Sequence, residues 1–382
     1  MTHHAEAFAV AVVGMGALGS AAAYHLARRG VNVVAFEQFE LGHVRGASHD
    51  TSRIIRTSYG TPRYVSLATS AYRDWADFEK VSGEKLVTVT GGLIFCPTDG
   101  PYSARDFVSS LEKVGVPFEF LGPSEVRERW PQFRLPENVE TVYTSDTGIV
   151  HASRSVAALQ MQARAHGAVI RDRTPVERVS PDGSGVIVHT ATDDVRARKV
   201  ILATDAWTNT LLAPLGAEIP LIPMQEQVTY FKPVDPGRFD RDRFPVWIWE
   251  DTFNFYGFPT YGEPTIKAAR DRSDNLMTPE ERTFVPSPEL LEQLSSFMHD
   301  VIPDSGPALR TVTCQYAITP NREFVIGAVP EHPDIIVGLG AGHAFKFTPA
   351  IGRILAELAV DGETDDDISA FAVPSNAAVP TS

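Results

Sequence analysis

The N-terminal segment passes from an apolar run through a glycine-rich turn into a helical pattern. The run FAVAVVG, residues 8–14, is β-rich and continuously apolar, which is typical of a buried parallel strand. Residues 20–30, SAAAYHLARRG, follow the turn and predict a helix that ends at Gly30. VNVVAFE, residues 31–37, predicts a second strand. The segment is therefore predicted to be one β-α-β unit.

The rest of the chain mixes helical and strand patterns without an internal repeat. Helical periodicity recurs in several segments, namely 65–80, 106–116, 124–129, 153–167, 206–216, 287–303 and 348–362. Strand patterns dominate four others: 86–96, which predicts a hairpin, then 168–204, 220–270 and 334–340. The last residues, 374–382, have the composition of a loose tail.

Nucleotide-type patterns thus lie at both ends of the chain, with a β-rich aromatic block between them. A chain of 382 residues also suggests about two domains. We predict a fold of the α+β or α/β class, in which a mixed β-sheet substrate domain is inserted into a Rossmann-type dinucleotide-binding domain. The ranges 1–85, 148–216 and 312–382 are assigned to the first domain, and 86–147 with 217–311 to the second.

Composition narrows the choice of partners. Hydrophobic residues make up 43% and charged residues 21%, as in ordinary globular proteins, and the net charge of −14 argues against nucleic acid or an anionic membrane as partner. No apolar run reaches the ~18 residues of a membrane span. The run at 7–14 lacks the flanks of a signal peptide. Cys96 and Cys314 do not resemble a disulfide framework, so a reducing, cytoplasmic location is expected. No metal site is expected.

The turn GMGALG supplies Gly14, Gly16 and Gly19 in the spacing of a dinucleotide-binding loop. The first glycine permits the tight turn, the second lets the backbone approach a pyrophosphate, and the third lets the helix pack on the strand. The helix N-terminus then faces the phosphates with free N–H groups. Glu37 lies where an acid accepts hydrogen bonds from ribose hydroxyls. The motif predicts dinucleotide binding but does not separate NAD from FAD.

Several further motifs occur in a fixed order along nearly the whole chain. GASHDTSRIIRTSYG begins at residue 46, ATDAWT at 203, FYGFPTYGEPTIK at 255, CQYAITPNREFVIG at 314 and GLGAGHAFKFTPAIG at 338. Together they resemble the signature of the monomeric sarcosine oxidase and N-methyltryptophan oxidase family. The resemblance implies FAD as cofactor. It also implies that Cys314 carries the flavin through an 8α-thioether, and that Gly342 and His343 belong to the cofactor site. Cys96 is interpreted as a small buried hydrophobe.

The resemblance also implies the reaction and its residues. A secondary amine that bears a carboxylate is oxidised to an imine, and O₂ is reduced to H₂O₂. Arg56 and Lys346 match the residues that hold the substrate carboxylate, and Tyr256 lines the substrate cavity. Three further cations are expected near the flavin: Arg53 and His49 beside the ring, and Lys267 over its face, where a positive charge speeds the reaction with oxygen. A monomer is expected.

Two departures from the family pattern bear on the substrate and the cofactor. Asp271 stands where sarcosine oxidase has an active-site histidine, which puts sarcosine itself in doubt. Asp205 replaces a glycine in ATDAWT, so a negative charge is expected near the cofactor. Two alternatives remain open. One is another amine oxidation on the same fold, by a D-amino-acid, glycine or fructosyl-amino-acid oxidase. The other is a flavin-binding protein without turnover.

Overall fold

The glycine turn belongs to a mixed sheet of eight strands in the computed structural model, which describes residues 7–374. Strands β9, β2, β1, β12 and β19 run parallel, and β10, β11 and β18 pair antiparallel at its margins. The strands are β1 (Ala7–Val13), β2 (Val33–Phe36), β9 (Val169–Arg171), β10 (Val176–Pro181), β11 (Val186–Thr190), β12 (Asp194–Leu202), β18 (Val325–Val329) and β19 (His332–Leu339). The central strands are buried on both faces, which explains their continuously apolar sequences.

A second sheet, also of eight strands, has the order β17-β13-β16-β15-β14-β5-β7-β6. Its strands are β5 (Gly92–Pro97), β6 (Glu119–Leu121), β7 (Val139–Thr144), β13 (Ile222–Phe231), β14 (Val246–Trp249), β15 (Asn254–Phe258), β16 (Ile266–Asp271) and β17 (Ala308–Ile318). A small third sheet joins β3 (Arg53–Ile55), β8 (Gly148–Val150) and β4 (Val87–Val89). The sequence thus predicted the mixed α/β class correctly, whereas the domain boundaries stay a prediction.

Eight α-helices are assigned within the described residues: α1 (Ala17–Arg28), α2 (Pro62–Ser82), α3 (Ala104–Val114), α4 (Pro123–Arg129), α5 (Ala152–Ala165), α6 (Thr208–Leu212), α7 (Pro288–Val301) and α8 (Thr348–Val360). Helices α5 and α8 pack on α1. The approach of α8 is close, because a Cβ at Gly352 would lie 2.3 Å from the Cβ of Ala21. This packing holds α1 against the first sheet and fixes the direction of its N-terminus.

The hairpin predicted for residues 86–96 is wrong. The two strands exist, but β4 pairs with β8 in the third sheet, while β5 pairs with β7 and β14 in the second. Two residues between them, Thr90 and Gly91, therefore carry the chain from one sheet to the next. The alternating pattern predicts the strands but says nothing about which distant strand each one joins.

The predicted tail, residues 374–382, lies outside the described residues apart from Pro374. Within 7–374, no helix is long and apolar enough to cross a membrane. In the same part of the chain, no group of three or more histidine, cysteine or acidic side chains could hold a metal ion.

Candidate active site

The glycine turn lies between the ends of β1 and β12. Gly14 has φ +91°, and a Cβ there would lie 2.5 Å from the carbonyl oxygen of Ala203. A Cβ at Gly19 would lie 1.8 Å from the carbonyl oxygen of Gly14, so the third glycine permits α1 to pack on the turn. The hydroxyl oxygen of Ser48 accepts a hydrogen bond from the first helical N–H, that of Ala17, at 2.9 Å. Protein atoms therefore pack against one side of the turn, and its other side faces the cavity that it lines.

Glu37 follows β2 and is 5% exposed. Its carboxylate accepts hydrogen bonds from the backbone N–H groups of Met15 (2.9 Å) and Phe39 (3.1 Å), and His43 lies 3.4 Å away. Burial alone would raise the pKa of Glu37, but these hydrogen bonds hold the pKa below its usual value. The side chain is thus an ionised acceptor at the rim of the cavity.

One cavity of about 350 Å³ joins the glycine turn to the second sheet. It brings together the site residues predicted from the sequence with one exception, Gly19, which packs beneath the turn. The predicted residues that line it are Gly14, Gly16, Glu37, His49, Arg53, Arg56, Tyr256, Lys267, Cys314, Gly342, His343 and Lys346. They come from all three sheets and from the loops after β1, β2 and β19.

Lys267 lies in β16 and is 3% exposed. Its ammonium group donates hydrogen bonds to Asp50 Oδ2 at 2.6 Å, and to the carbonyl and hydroxyl oxygens of Ser52, both at 3.0 Å. Asp50 also accepts a hydrogen bond of 2.6 Å from the hydroxyl of Tyr230. Burial lowers the pKa of Lys267 to about 8, and the ion pair with Asp50 opposes that decrease. The lysine is therefore a buried cation whose charge depends on Asp50.

His49 lies on the loop that leads into β3, and Arg53 is the first residue of that strand. The Arg53 guanidinium donates to the carbonyl oxygens of Ser52, Ala47 and His49 at 2.8 to 2.9 Å. Burial, followed by the neighbouring Arg53, lowers the pKa of His49 to about 4, and its Nε2 has no hydrogen-bond partner. At neutral pH His49 is uncharged, so a positive field at this wall comes from Arg53 and Lys267 rather than from the histidine.

Cys314 lies in β17 and is 6% exposed. In the antiparallel pairing of β17 with β13 it stands opposite Glu226. Burial raises the pKa of the thiol to about 11, which the nearby Arg53 opposes. Burial also raises the pKa of Glu226 to about 8, and its carboxyl group accepts the backbone N–H of Ser273 at 3.0 and 3.2 Å. Both groups are therefore neutral below pH 8.

Arg56 and Lys346 form a cationic end of the cavity. The Arg56 guanidinium stacks over the ring of Tyr59 at 4.4 Å and lies 3.8 Å from the carboxylate of Glu250. Lys346 donates to the carbonyl oxygen of His343 at 2.8 Å. Burial, and then the charge of Arg56, lowers the pKa of Lys346 to about 7. Two partly buried cations that repel each other favour an anion between them.

Asp271, at the end of β16, forms an ion pair with Arg322, with 2.6 Å between Oδ2 and Nη1. Burial would raise the pKa of Asp271, but Arg322 holds it below its usual value. His343 donates to the carbonyl oxygen of Arg322 at 2.9 Å, and burial lowers its pKa to about 3. A Cβ at Gly342 would lie 2.7 Å from the ring of Tyr316, so glycine allows that ring to line the cavity.

Comparison with known proteins shows the family to which the chain belongs. The sequence model of the family described as "FAD dependent oxidoreductase" matches residues 9–358. Monomeric sarcosine oxidase of Bacillus sp. (strain B-0618) is 32% identical over 375 residues, which cover 96% of this chain and 95% of that protein. The chain belongs to the FAD-dependent oxidoreductase family.

Two further relatives cover the chain almost completely. N-methyl-L-tryptophan oxidase of Yersinia pestis (strain Pestoides F) is 29% identical over 95% of this chain and 97% of that protein. The solved structure of NikD, an unusual amino acid oxidase essential for nikkomycin biosynthesis, superposes with a TM-score of 0.84 at 29% identity, covering 97% and 98% of the two chains. The family resemblance inferred from the motifs is confirmed, and the protein is an FAD-dependent oxidoreductase.

The residues present fit FAD, the cofactor of the family. Gly14 and Gly16 keep side chains out of the place where a pyrophosphate approaches the N-terminus of α1. Glu37 offers ionised oxygens to ribose hydroxyls. The cavity then continues to the second sheet, where Cys314, Tyr256 and Lys267 line its wall.

Four ionisable residues of the site were not predicted from the sequence: Asp50, Glu226, Glu250 and Arg322. Asp50 and Arg322 lie in polar loops, where charged residues are usually solvated. Glu226 and Glu250 were hidden in strand-like segments. One signal pointed toward Asp50, because a lysine in the apolar strand sequence PTIK needs a counter-charge when it is buried.

Proposed function

We propose that this oxidoreductase oxidises a secondary amino acid, N-methylated or cyclic, to the imine, with O₂ as electron acceptor and H₂O₂ as product. One observation carries the proposal: two partly buried cations, Arg56 and Lys346, line the cavity that fits FAD. The names of the relatives agree with it, since both sarcosine and N-methyl-L-tryptophan are N-methyl amino acids.

The two cations suit a carboxylate. The guanidinium of Arg56 presents a planar fork of donors, and the ring of Tyr59 holds it in place from one side. Lys346 adds a point charge, anchored through its hydrogen bond to His343. The bound carboxylate raises the pKa of Lys346 above 7, so substrate binding keeps the lysine charged.

FAD, when bound, supplies the acceptor for a hydride equivalent from the carbon next to nitrogen. The protein's own residues position the substrate, exclude water and set the charge of the site. Lys267 holds a positive charge beside the cofactor region, and Asp50 keeps it protonated. We also propose that Cys314 attaches the flavin covalently. This assignment is supported by its motif and by its burial in the cavity wall.

Two further assignments belong to the proposal. The similarity to a monomeric sarcosine oxidase supports a monomer. The two cysteines, which are both free and far apart in the chain, support a reducing, cytoplasmic location.

A panel of substrates tests the proposed function. The purified holoenzyme is mixed with N-methyl, cyclic secondary and primary amino acids, and H₂O₂ is measured. Each compound is also added anaerobically, where a substrate bleaches the flavin absorbance. We expect turnover with one or more secondary amino acids and none with the matching decarboxylated amines. Bleaching by primary D-amino acids alone would favour a D-amino-acid oxidase. Bleaching by no amine would favour a flavoprotein without turnover.

A further inference from the structure

Asp205 follows β12 closely and is the first residue of the 3-10 helix Asp205–Trp207. Its φ is +47°, in the left-handed region that favours glycine, and ATDAWT has an aspartate where the family resemblance expects glycine. An aspartate at such a φ carries backbone strain, which persists only where the surrounding structure holds it in place.

The carboxyl group lines the FAD cavity without a complete set of partners. Asp205 is among the lining residues, and its Oδ2 is fully buried with no hydrogen-bond partner. A buried acceptor without a partner costs about 1–3 kcal/mol. The residue two positions before it, Ala203, touches the glycine turn, because its carbonyl oxygen would lie 2.5 Å from a Cβ at Gly14. Asp205 therefore belongs to the segment that lines the cavity next to the glycine turn, where the phosphates of a dinucleotide approach α1.

Charge decides in which form such a carboxyl group can meet the cofactor. The pyrophosphate of FAD is anionic, so an ionised carboxylate beside it is repelled, whereas a protonated carboxyl can donate a hydrogen bond. We propose that Asp205 is a cofactor-binding residue of this chain. Its protonated carboxyl group donates a hydrogen bond to a phosphate or ribityl oxygen of FAD. FAD binding above neutral pH then takes up one proton from solvent.

The surroundings of Asp205 agree with a protonated carboxyl. Burial raises the pKa of Asp205 to about 7, and a single hydrogen bond from the backbone at Ala206 opposes this. No cation of the described residues contributes to this pKa. None of the other titratable side chains that line the same cavity contributes either, from Glu37, His43 and His49 near the glycine turn to Lys267 and Lys346 farther along. Glu280 is engaged by the indole N–H of Trp207.

Reversible FAD binding tests the proposal without reference to activity. The full-length chain carrying Cys314→Ser, which removes the proposed covalent link, is titrated with FAD between pH 6 and 9, and flavin fluorescence gives the dissociation constant. With Asp205 intact, affinity should be constant below pH 7 and should fall about tenfold for each pH unit above it. Asp205→Asn keeps the size and a donor but does not titrate, so the slope between pH 7 and 9 should disappear.

Two controls make the outcome decisive. Asp242→Asn removes an exposed acid of the second domain and should keep the full slope. Asp205→Gly provides the residue that φ +47° favours, and its FAD affinity should also lose the slope with pH. This variant serves as the test if the asparagine variant does not fold. Calorimetry of FAD binding at pH 8 in two buffers of different ionisation enthalpy should show about one proton taken up, and none in the variants. An unchanged slope in both variants at position 205 would overturn the proposal.

Discussion

Replacing Asp50 with asparagine should leave Lys267 mostly deprotonated, and so uncharged, at neutral pH. Asp50 is the ionic partner of this buried lysine, and it contributes one of three hydrogen bonds to the ammonium group. Asparagine keeps the shape and can still accept a hydrogen bond, but it carries no charge. The variant therefore removes the electrostatic support of the lysine and leaves the lysine itself in place.

The expected size follows from the ion pair. Removing one partner of a buried pair costs about 3–5 kcal/mol, and we take about 3 because asparagine still accepts a hydrogen bond. At 1.36 kcal/mol per unit, the pKa of Lys267 should fall by about two units, from about 8 to about 6. At pH 7.5 the protonated fraction then falls from about three quarters to about 3%, roughly a 25-fold decrease.

If the cation of Lys267 accelerates the reaction of reduced enzyme with O₂, reoxidation should slow by the same factor. Anaerobically reduced enzyme is mixed with O₂ in a stopped-flow instrument between pH 5.5 and 9. Because the charged form exists below the pKa, the wild-type rate should fall as pH rises through about 8. The Asp50→Asn rate should fall through about 6 and recover at pH 5.5.

Lys267→Met provides the reference, since it has no charge at any pH. Its reoxidation should be slow by about two orders of magnitude or more and should not change with pH in this range. Its anaerobic reduction by substrate should change only modestly. An Asp50→Asn rate equal to the wild-type rate at pH 7.5 would refute the reasoning, and so would a rate reduced equally at every pH.

Three other predictions concern the remaining parts of the site. Acid precipitation should leave the yellow colour with wild-type protein and release it from Cys314→Ser; free FAD in the wild-type supernatant would rule out covalent attachment. Arg56→Ala or Lys346→Ala should raise the KM of an amino-acid substrate by the equivalent of about 2–5 kcal/mol, and wild-type KM should rise above pH 7, where Lys346 loses its proton. Gly14→Ala places a methyl group 2.5 Å from a backbone oxygen and should lower Tm and FAD retention. Gly83→Ala, at a similar φ with open space around it, should lower Tm less and leave FAD retention unchanged; equal losses of both would contradict the steric argument.

The part of the site near the N-terminus could be predicted because its interactions are local in sequence. Gly14, Gly16, Gly19 and Glu37 belong to one β-α-β unit, and their spacing is fixed by the geometry of a strand, a turn and a helix. The clash distance at Gly19, to the carbonyl oxygen of Gly14, follows from the same geometry, whereas the contact of Gly14 with Ala203 is distant in sequence. The motifs around Cys314 needed the family resemblance, since a single buried cysteine has no readable pattern of its own.

The charge pairs of the site could not be predicted because their partners are distant in sequence. Asp50 meets Lys267 across 217 residues, and Asp271 meets Arg322 across 51. Hydrophobic periodicity records which face of an element is buried, but it does not record which charge lies opposite another. The false hairpin at residues 86–96 has the same cause, because the partners of β4 and β5 lie far along the chain.

The pairing of the first sheet constrains the order in which the chain can fold during synthesis. Strand β1 lies next to β12, and β12 lies next to β19, which ends at Leu339. Helix α8, which covers α1 from residue 348 onward, emerges from the ribosome later still. A nascent chain that has not reached α8 exposes the alanine-rich face of α1 to water. The first sheet is therefore completed after nearly all of the chain has been made. C-terminal truncations should aggregate rather than yield a smaller nucleotide-binding protein.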